Sequence, residues 1–383
     1  MTEDLDPKIE GVLNDDQLRV ALQRGYVHAG EYRIDDMRIQ PASIDLTLGE
    51  TAHRLRASFL PDRDRVERKL STLSQGTIDL RDGNFLEYHV PYLIELREQL
   101  NLPPFLRAKA NPKSSTGRID VFTRLITDNA QQFDEVRSGY RGKLYLEVVP
   151  ISFPIKVKEG LSLNQLRLIA GRSQRLLDTD IRKLHDRKPL LFLGSGPVLQ
   201  DGLAVSDGLF LSIDLHGEAA GAIGYQAKSY TRLLDLTSPD PPDIADFWEP
   251  VRPERGDRII LQPGAFYLLL SRERVRIPPD LASEMVAYDP TSGELRTHYA
   301  GFFDPGFGWG DDVHGSRAAL EVRAHDVPFI IEHGQSVAKL SFEKMARVPS
   351  RLYGDQSSSH YQGQETTLSK YFLAGQLALY DLD

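Results

Sequence analysis

The chain repeats itself, and the repeat constrains the fold more than any other feature. The run from Tyr92 to Leu106 ends in apolar-Pro-Pro-x-Leu, and so does the run from Tyr267 to Leu281, 175 residues later. Asn111 to Arg118 (NPKSSTGR) is matched by Asp289 to Arg296 (DPTSGELR) at a spacing of 178. Leu146-Glu147-Val148, Pro154 and Gly160 are matched by Leu320-Glu321-Val322, Pro328 and Gly334 at a spacing of 174. Ser43-Ile44-Asp45-Leu46 is matched by Ser212-Ile213-Asp214-Leu215. Four matches in one order imply a tandem duplication of a unit of roughly 190 residues. The expected division is 1–190 and 191–383. Two copies make a pair of domains, not a solenoid.

The unit reads as β-rich. Alternating or short apolar runs at 143–149, 208–215, 258–262, 266–270 and 327–331 have the texture of strands. Pro and Gly interrupt them at short intervals, which favours a sandwich or barrel over a βαβ sheet. Helices are expected at 15–24, capped by Asp15 or Asp16, and within 162–187 near the join. Residues 236–243 read as a Pro/Asp-rich loop, and 349–369 as a flexible polar segment. Trp248 and Trp309 lie in loop-like sequence, where packing is the better-supported role.

Composition removes whole classes of function. The chain has no cysteine, so disulfides, Cys-ligated zinc, iron–sulfur clusters and thiol nucleophiles are excluded. Its ten histidines form no H-E-x-x-H and no tight pair, so a protein-ligated catalytic metal is not expected. The net charge of −9 argues against broad binding to nucleic acid or an anionic membrane. The acidic N-terminus and the lack of a long apolar run predict a cytoplasmic protein.

Two segments carry candidate chemistry. Lys113-Ser114-Ser115-Thr116-Gly117-Arg118 gathers hydroxyls, a glycine and two cations, a set suited to phosphate oxygens, although a capped turn uses the same residues. Glu147 stands inside the apolar run 144–149. A carboxylate there is costly to bury unless it is hydrogen-bonded or working. Alternation puts Tyr145 on its face. Ser292, Arg296 and Glu321 are the corresponding polar residues of the second copy.

The order Gln40-Pro-Ala-Ser-Ile-Asp-Leu-Thr-Leu-Gly49, then KSSxxR, then Gly142-x-x-x-Leu-Glu147 resembles the dCTP deaminase family of the trimeric dUTPase-like superfamily. Tyr353-Gly354 and the run Ser359 to Gln364 (SHYQGQ) resemble that family's nucleotide-covering tail. The resemblance implies a mainly β fold: two tandem dUTPase-like distorted β-barrel or jelly-roll units with a few short helices. It implies a homo-oligomer with three-fold or pseudo-hexameric symmetry. It further implies hydrolytic deamination of dCTP to dUTP and ammonia. Glu147 would be the general base, with Ser114 and Arg118 also catalytic. Lys113, Ser115, Tyr145, Asp304, Tyr353, Tyr361 and Gln364 would contact substrate. Mg2+ would be bound through the triphosphate, and dTTP is a candidate inhibitor. Zinc-dependent nucleobase deaminases need a P-C-x-x-C signature, which a chain without cysteine cannot supply.

The family motifs are unevenly kept. The turn before the strand glutamate is degenerate at 136–142 (VRSGYRG) but preserved at 303–308 (FDPGFG). The KSSxxR cation is missing from the second copy, and the tail follows only that copy. The expected site is therefore composite: Ser114, Arg118 and Glu147 from the first half, Asp304, Tyr361 and Gln364 from the second, with the tail supplied by the same or another chain. Relatives of this fold include bifunctional enzymes giving dUMP, plain dUTPases and non-catalytic nucleotide-binding proteins. Those readings stay open on sequence.

Overall fold

A computed structural model describes residues 5–172, 174–216, 222–286, 295–297, 301–310, 314–324, 326–355, 360–364 and 367–373. The first half is built on strands β1 (Leu48–Leu55), β2 (Tyr92–Asn101), β3 (Leu106–Pro112), β4 (Val121–Ile126), β5 (Arg141–Pro150) and β6 (Asn164–Ala170). In one sheet β2 lies between β1 and β5, and β4 flanks β5; in the facing sheet β3 pairs β6. The second half repeats the plan with β7 (Phe266–Val275), β8 (Leu281–Val286), β9 (Leu295–Thr297), β10 (Ser316–Ala324) and β11 (Ser336–Lys344). Here β10 pairs both β7 and β9, while β8 pairs β11. The fold is mainly β, in small, strongly bent sheets.

Strand registers measure the repeat directly. Glu147 faces Leu93 and Glu321 faces Leu268, while Leu106 faces Ala170 and Leu281 faces Lys344. These pairs hold a spacing of 174 or 175 throughout. Two sequence matches fail this test. Phe122 faces Val149 and Arg296 faces Arg323, so Arg296 corresponds to Phe122 and not to Arg118. The side chain and backbone N–H of Thr47 both bond Glu98, and those of Ser212 both bond Glu273. Ser212 is thus the counterpart of Thr47, four residues away from its Ser43 match.

The described residues include four α-helices, all short. α1 (Asp15–Gln23) is capped by Asn14, whose side chain accepts from Gln17 N–H while Gln17 answers back. This is a capping box, one residue earlier than the expected Asp cap. α2 (Val66–Leu73) lies on the first half, α3 (Ser114–Gly117) is one turn, and α4 (Asp178–Arg187) follows the join. The segment 162–187 is therefore only helical in its second part. Asn164–Ala170 is a strand buried at every position, and Gly171 ends it at φ +63°. Ile181, Leu190 and Leu191 belong to the second core, so α4 packs with the second half. The segment 349–369 reads as flexible in sequence, yet its described residues are largely packed: Ser350 Oγ donates to Asp15, and Tyr361 and Leu368 are buried.

The two halves share a core. Leu234, Leu236, Phe247, Trp248, Phe266, Leu268, Tyr371 and Phe372 come from the second half but pack into the first-half cluster. Phe153 meets Phe247 and Trp248 edge-on at 5.3 and 5.2 Å, and Phe372 closes on both rings. Edge-to-face aromatic packing adds to the gain from burial. Trp248 is buried, as packing requires, and Trp309 lies beneath the Arg276 guanidinium at 4.2 Å. Among the described residues no helix is long and apolar enough to cross a membrane. Truncating Trp248 to Ala should cost about 3–5 kcal/mol, read by denaturant unfolding, and should destabilise both halves together because the ring belongs to their common core.

Candidate active site

Strand β3 ends at Pro112, and the chain turns at once into α3. The backbone N–H groups of Thr116 and Gly117 bond the Lys113 carbonyl at 2.8 and 3.0 Å, and Arg118 N–H bonds Ser114 O at 3.1 Å. This tight turn sets Lys113, Ser114, Ser115 and Arg118 along one wall of a cavity of about 1030 Å3, its mouth included. The opposite wall is second-half chain: Phe302, Asp304, Glu321, Tyr353, Tyr361 and Gln364. The cavity therefore lies in the seam between the halves, and one chain supplies both walls.

Glu321 is the carboxylate that reaches the hydroxyl motif. It is buried at 8% exposure on β10 and lies against Gly117. A Cβ built on Gly117 would stand 2.5 Å from Glu321 Oε2, so glycine is required for this approach. Among the described residues Glu321 Oε2 has no hydrogen-bond partner. Burial holds its carboxyl well above the usual range; nearby Arg118 opposes the shift and Asp120 adds to it. A raised carboxyl can both take and return a proton near neutral pH.

The tail closes the cavity from the same chain. Ser115 Oγ and Tyr361 OH are 2.7 Å apart, and the Arg118 guanidinium sits 3.7 Å over the Tyr361 ring. Arg118 also donates to Gln364 Oε1 at 2.7 Å and to the Thr367 and Leu368 carbonyls. Gln364 in turn donates to Arg317 O at 2.6 Å. Tyr361 N–H donates to Tyr353 OH at 3.1 Å, and burial raises the Tyr353 phenol. Ser359 lies outside the described residues.

Two further carboxylates face the cavity, each with a cation. Lys113 Nζ is 2.5 Å from Asp45. Asp304 meets Arg167 at 3.4 Å, and Arg167 stacks on Phe302 at 3.9 Å. Burial pushes Asp304 up to about 6, with Arg167 pulling down and Asp45 pushing up. Asp45, Gln165 and Arg167 were not singled out from sequence. Gln165 and Arg167 are polar residues inside an apolar run, as Glu147 is, but the run lacks the alternation of a half-buried strand and so resembles a helix in sequence.

Glu147 and Tyr145 do not line this cavity, so it does not bring Glu147 together with Ser114 and Arg118 as the sequence led one to expect. Glu147 is fully buried beneath α2 and paired with Arg124, and Ser58 Oγ donates to it at 2.5 Å. Tyr145 packs with Leu55, Val66, Leu93 and Ile126 in a separate apolar cluster. The reason is topological. The face of β5 that carries Glu147 looks outward from the first half, and residues 56–73 have folded over it. Ser292 lies outside the described residues, and Arg296 is held in β9 by its pairing with Arg323.

One group of metal-type ligands occurs elsewhere among the described residues: Asp214, His216 and His333. The two imidazoles stack 3.7 Å apart with planes 5° from parallel. Parallel rings cannot both aim in-plane lone pairs at one ion. Asp214 is already paired with Arg317.

The fold and cavity define a two-unit β protein with a composite, charge-lined pocket suited to a nucleotide. The families described as 2'-deoxycytidine 5'-triphosphate deaminase (DCD), N-terminal and C-terminal domains, match residues 9–172 and 177–372. The chain belongs to the dCTP deaminase family. A solved structure described as 2'-deoxycytidine 5'-triphosphate deaminase from Agrobacterium tumefaciens is 43% identical, with a TM-score of 0.83, over 90% of this chain and 100% of that one. A relative from Halobacterium salinarum, named "dCTP deaminase, dUMP-forming", is 34% identical over 29% of this chain and 55% of its own length. One from Ignicoccus hospitalis, named "dCTP deaminase", is 23% identical over 45% of this chain and 89% of its own. The chain thus spans little more than half of the first of these two relatives. Substituting Gly117 by Ala should push the Glu321 carboxylate off α3, which a crystal structure of the variant would show as a displaced side chain in an otherwise unchanged fold.

Proposed function

We propose that the protein deaminates dCTP hydrolytically, giving dUTP and ammonia, at one composite site per chain. The observation that carries this reading is the buried Glu321 carboxylate resting on the Lys113–Arg118 turn across the seam. Glu321, not Glu147, takes a proton from a water molecule while that water attacks C4 of cytosine. The proton then passes to the exocyclic amine, the C4–N bond breaks, and ammonia leaves. Atoms balance: dCTP and water give dUTP and ammonia. Ser114, on the cavity wall, holds the attacking water or the oxygen of the tetrahedral centre. Arg118 and Ser115 bind toward the sugar and phosphates, with Tyr361 and Gln364 laid over them.

A positioned general base contributes about 10²–10⁴-fold. A chain of net charge −9 must take a triphosphate with few local cations, here Lys113 and Arg118. Asp45 and Asp304 each already face a cation, which suits a Mg2+ ion carried by the phosphates better than one caged by protein. When bound, that ion would neutralise phosphate charge, and the deamination step does not pass through it.

The site needs no second copy of the chain. A matching site at the Glu147 face would require a neighbouring subunit to dock where α2 lies. We therefore read the second-copy residues differently from the sequence: Glu321 works and Glu147 is retained in a structural ion pair. The names of the relatives keep a second outcome in view, release of dUMP with pyrophosphate.

Two measurements test the reading. Incubation with dCTP and Mg2+, with ammonia, dUTP and dUMP assayed together, should yield ammonia and dUTP in equal amounts; no ammonia from any cytosine nucleotide contradicts it. Glu321→Gln should lower kcat by about 10²–10⁴-fold, whereas Glu147→Gln should leave kcat near wild type and cost about 1–3 kcal/mol of stability by stranding Arg124. The reverse pattern would restore Glu147 as the base.

A further inference from the structure

Two residues past Arg118 the backbone does something unusual. Asp120 sits at φ +56°, in the left-handed region, where side chains other than glycine are uncommon. It is also almost wholly buried, at 1% exposure. Its N–H bonds Gly117 O at 2.8 Å and its carbonyl receives Ile151 N–H at 2.9 Å, so the turn is held at both ends. A strained position kept by a buried charge calls for a cause.

The cause lies across the seam. The Asp120 carboxylate accepts from Ser152 Oγ at 2.5 Å and from the guanidinium of Arg323. Arg323 belongs to the second half. It follows Glu321 by two residues on β10 and so lies on the same face of the strand. Its other arm donates to the Gly264 carbonyl. One strand face thus presents two charged groups to one turn of the first half: Glu321 against Gly117 and Arg323 against Asp120.

We propose that Asp120 is a positioning residue for the reaction, fixing β10 through Arg323 so that the Glu321 carboxylate meets the Ser114/Ser115 turn. The inference rests on the reading of Glu321 as the base. The ion pair is buried and directional, and a strand displaced by about 1 Å would carry the carboxylate off its target. Asp120 acts electrostatically as well. Its negative charge raises the Glu321 carboxyl, whereas Arg118 lowers it. The other charged groups lining the cavity are Asp45, Lys113 and Asp304, with His360 in the tail.

The sign of the pH effect follows. The base must be ionised to accept the water proton. Removing the Asp120 charge lowers the Glu321 carboxyl, so the acidic limb of the kcat–pH profile moves to lower pH. Arg323→Met breaks the same contact but keeps the Asp120 charge, so it should lose kcat without that downward shift.

The test is steady-state kinetics with dCTP across pH for Asp120→Asn, Asp120→Gly, Arg323→Met and Arg323→Lys, with thermal midpoints for each and Glu321→Gln in parallel. Asp120→Gly relieves the left-handed strain while deleting the carboxylate, so comparing its thermal midpoint with that of Asp120→Asn separates backbone strain from loss of the ion pair. We expect both Asp120 variants to lose about 10–100-fold in kcat, with little change in KM and with the acidic limb shifted down. Arg323→Met should show the kcat loss, and Arg323→Lys should recover most of it. Wild-type kcat and an unmoved limb in Asp120→Asn and Asp120→Gly, with Glu321→Gln inactive, would overturn this inference alone. Full activity in Glu321→Gln would overturn the base assignment and this inference with it.

Discussion

A carboxylate from one half of the chain rests on a glycine from the other, and the architecture of the site depends on that contact. Glu321 can rest on the Lys113–Arg118 turn only because Gly117 offers no side chain. The approach is held by the aromatic cluster of Phe153, Phe247, Trp248 and Phe372, away from the cavity, and by the charge pairs Arg167–Asp304, at the cavity wall, and Asp120–Arg323. The first supplies apolar burial. The second and third fix register, since buried ion pairs specify geometry more reliably than they add stability.

Duplication explains why the parts are divided. A unit that places its hydroxyl motif on one face and its strand glutamate on another must meet a second unit to bring them together. In the tandem chain the first half gives the motif and the second gives the glutamate and the tail. That leaves the glutamate face of the first half, with Glu147, facing outward. There α2 and the residues before it cover the face with an apolar cluster, and Arg124 and Ser58 satisfy the stranded carboxylate. An unpaired buried charge would cost several kcal/mol, so its retention with partners is physically cheap relative to its exposure in a dry seam.

Much of this was legible in the sequence, and the failures have physical causes. The β texture, the two-copy plan and the motif turn can be read from residue patterns, because Pro-Pro turns and alternating strands are local. The tail residues Tyr361 and Gln364 do meet the Ser/Arg motif. Which glutamate meets that motif is decided by how two similar sheets dock, and both copies look alike in one dimension. The same limit misplaced Arg296 and the Ser212 match, where small shifts between copies are visible only in strand register. Arg167 was hidden differently: a strand buried on both faces has no period-2 signature, so its run passed for a helix and its charge went unremarked.

The account's central claim is that each chain contains a whole site. Mixing two inactive variants, Ser114→Ala and Glu321→Gln, under conditions that allow subunits to exchange, tests it most directly. If motif and glutamate must come from one chain, the mixture stays as inactive towards dCTP as either variant alone. Recovery of a substantial fraction of wild-type ammonia release would mean that the site is assembled between chains, and the account would be wrong.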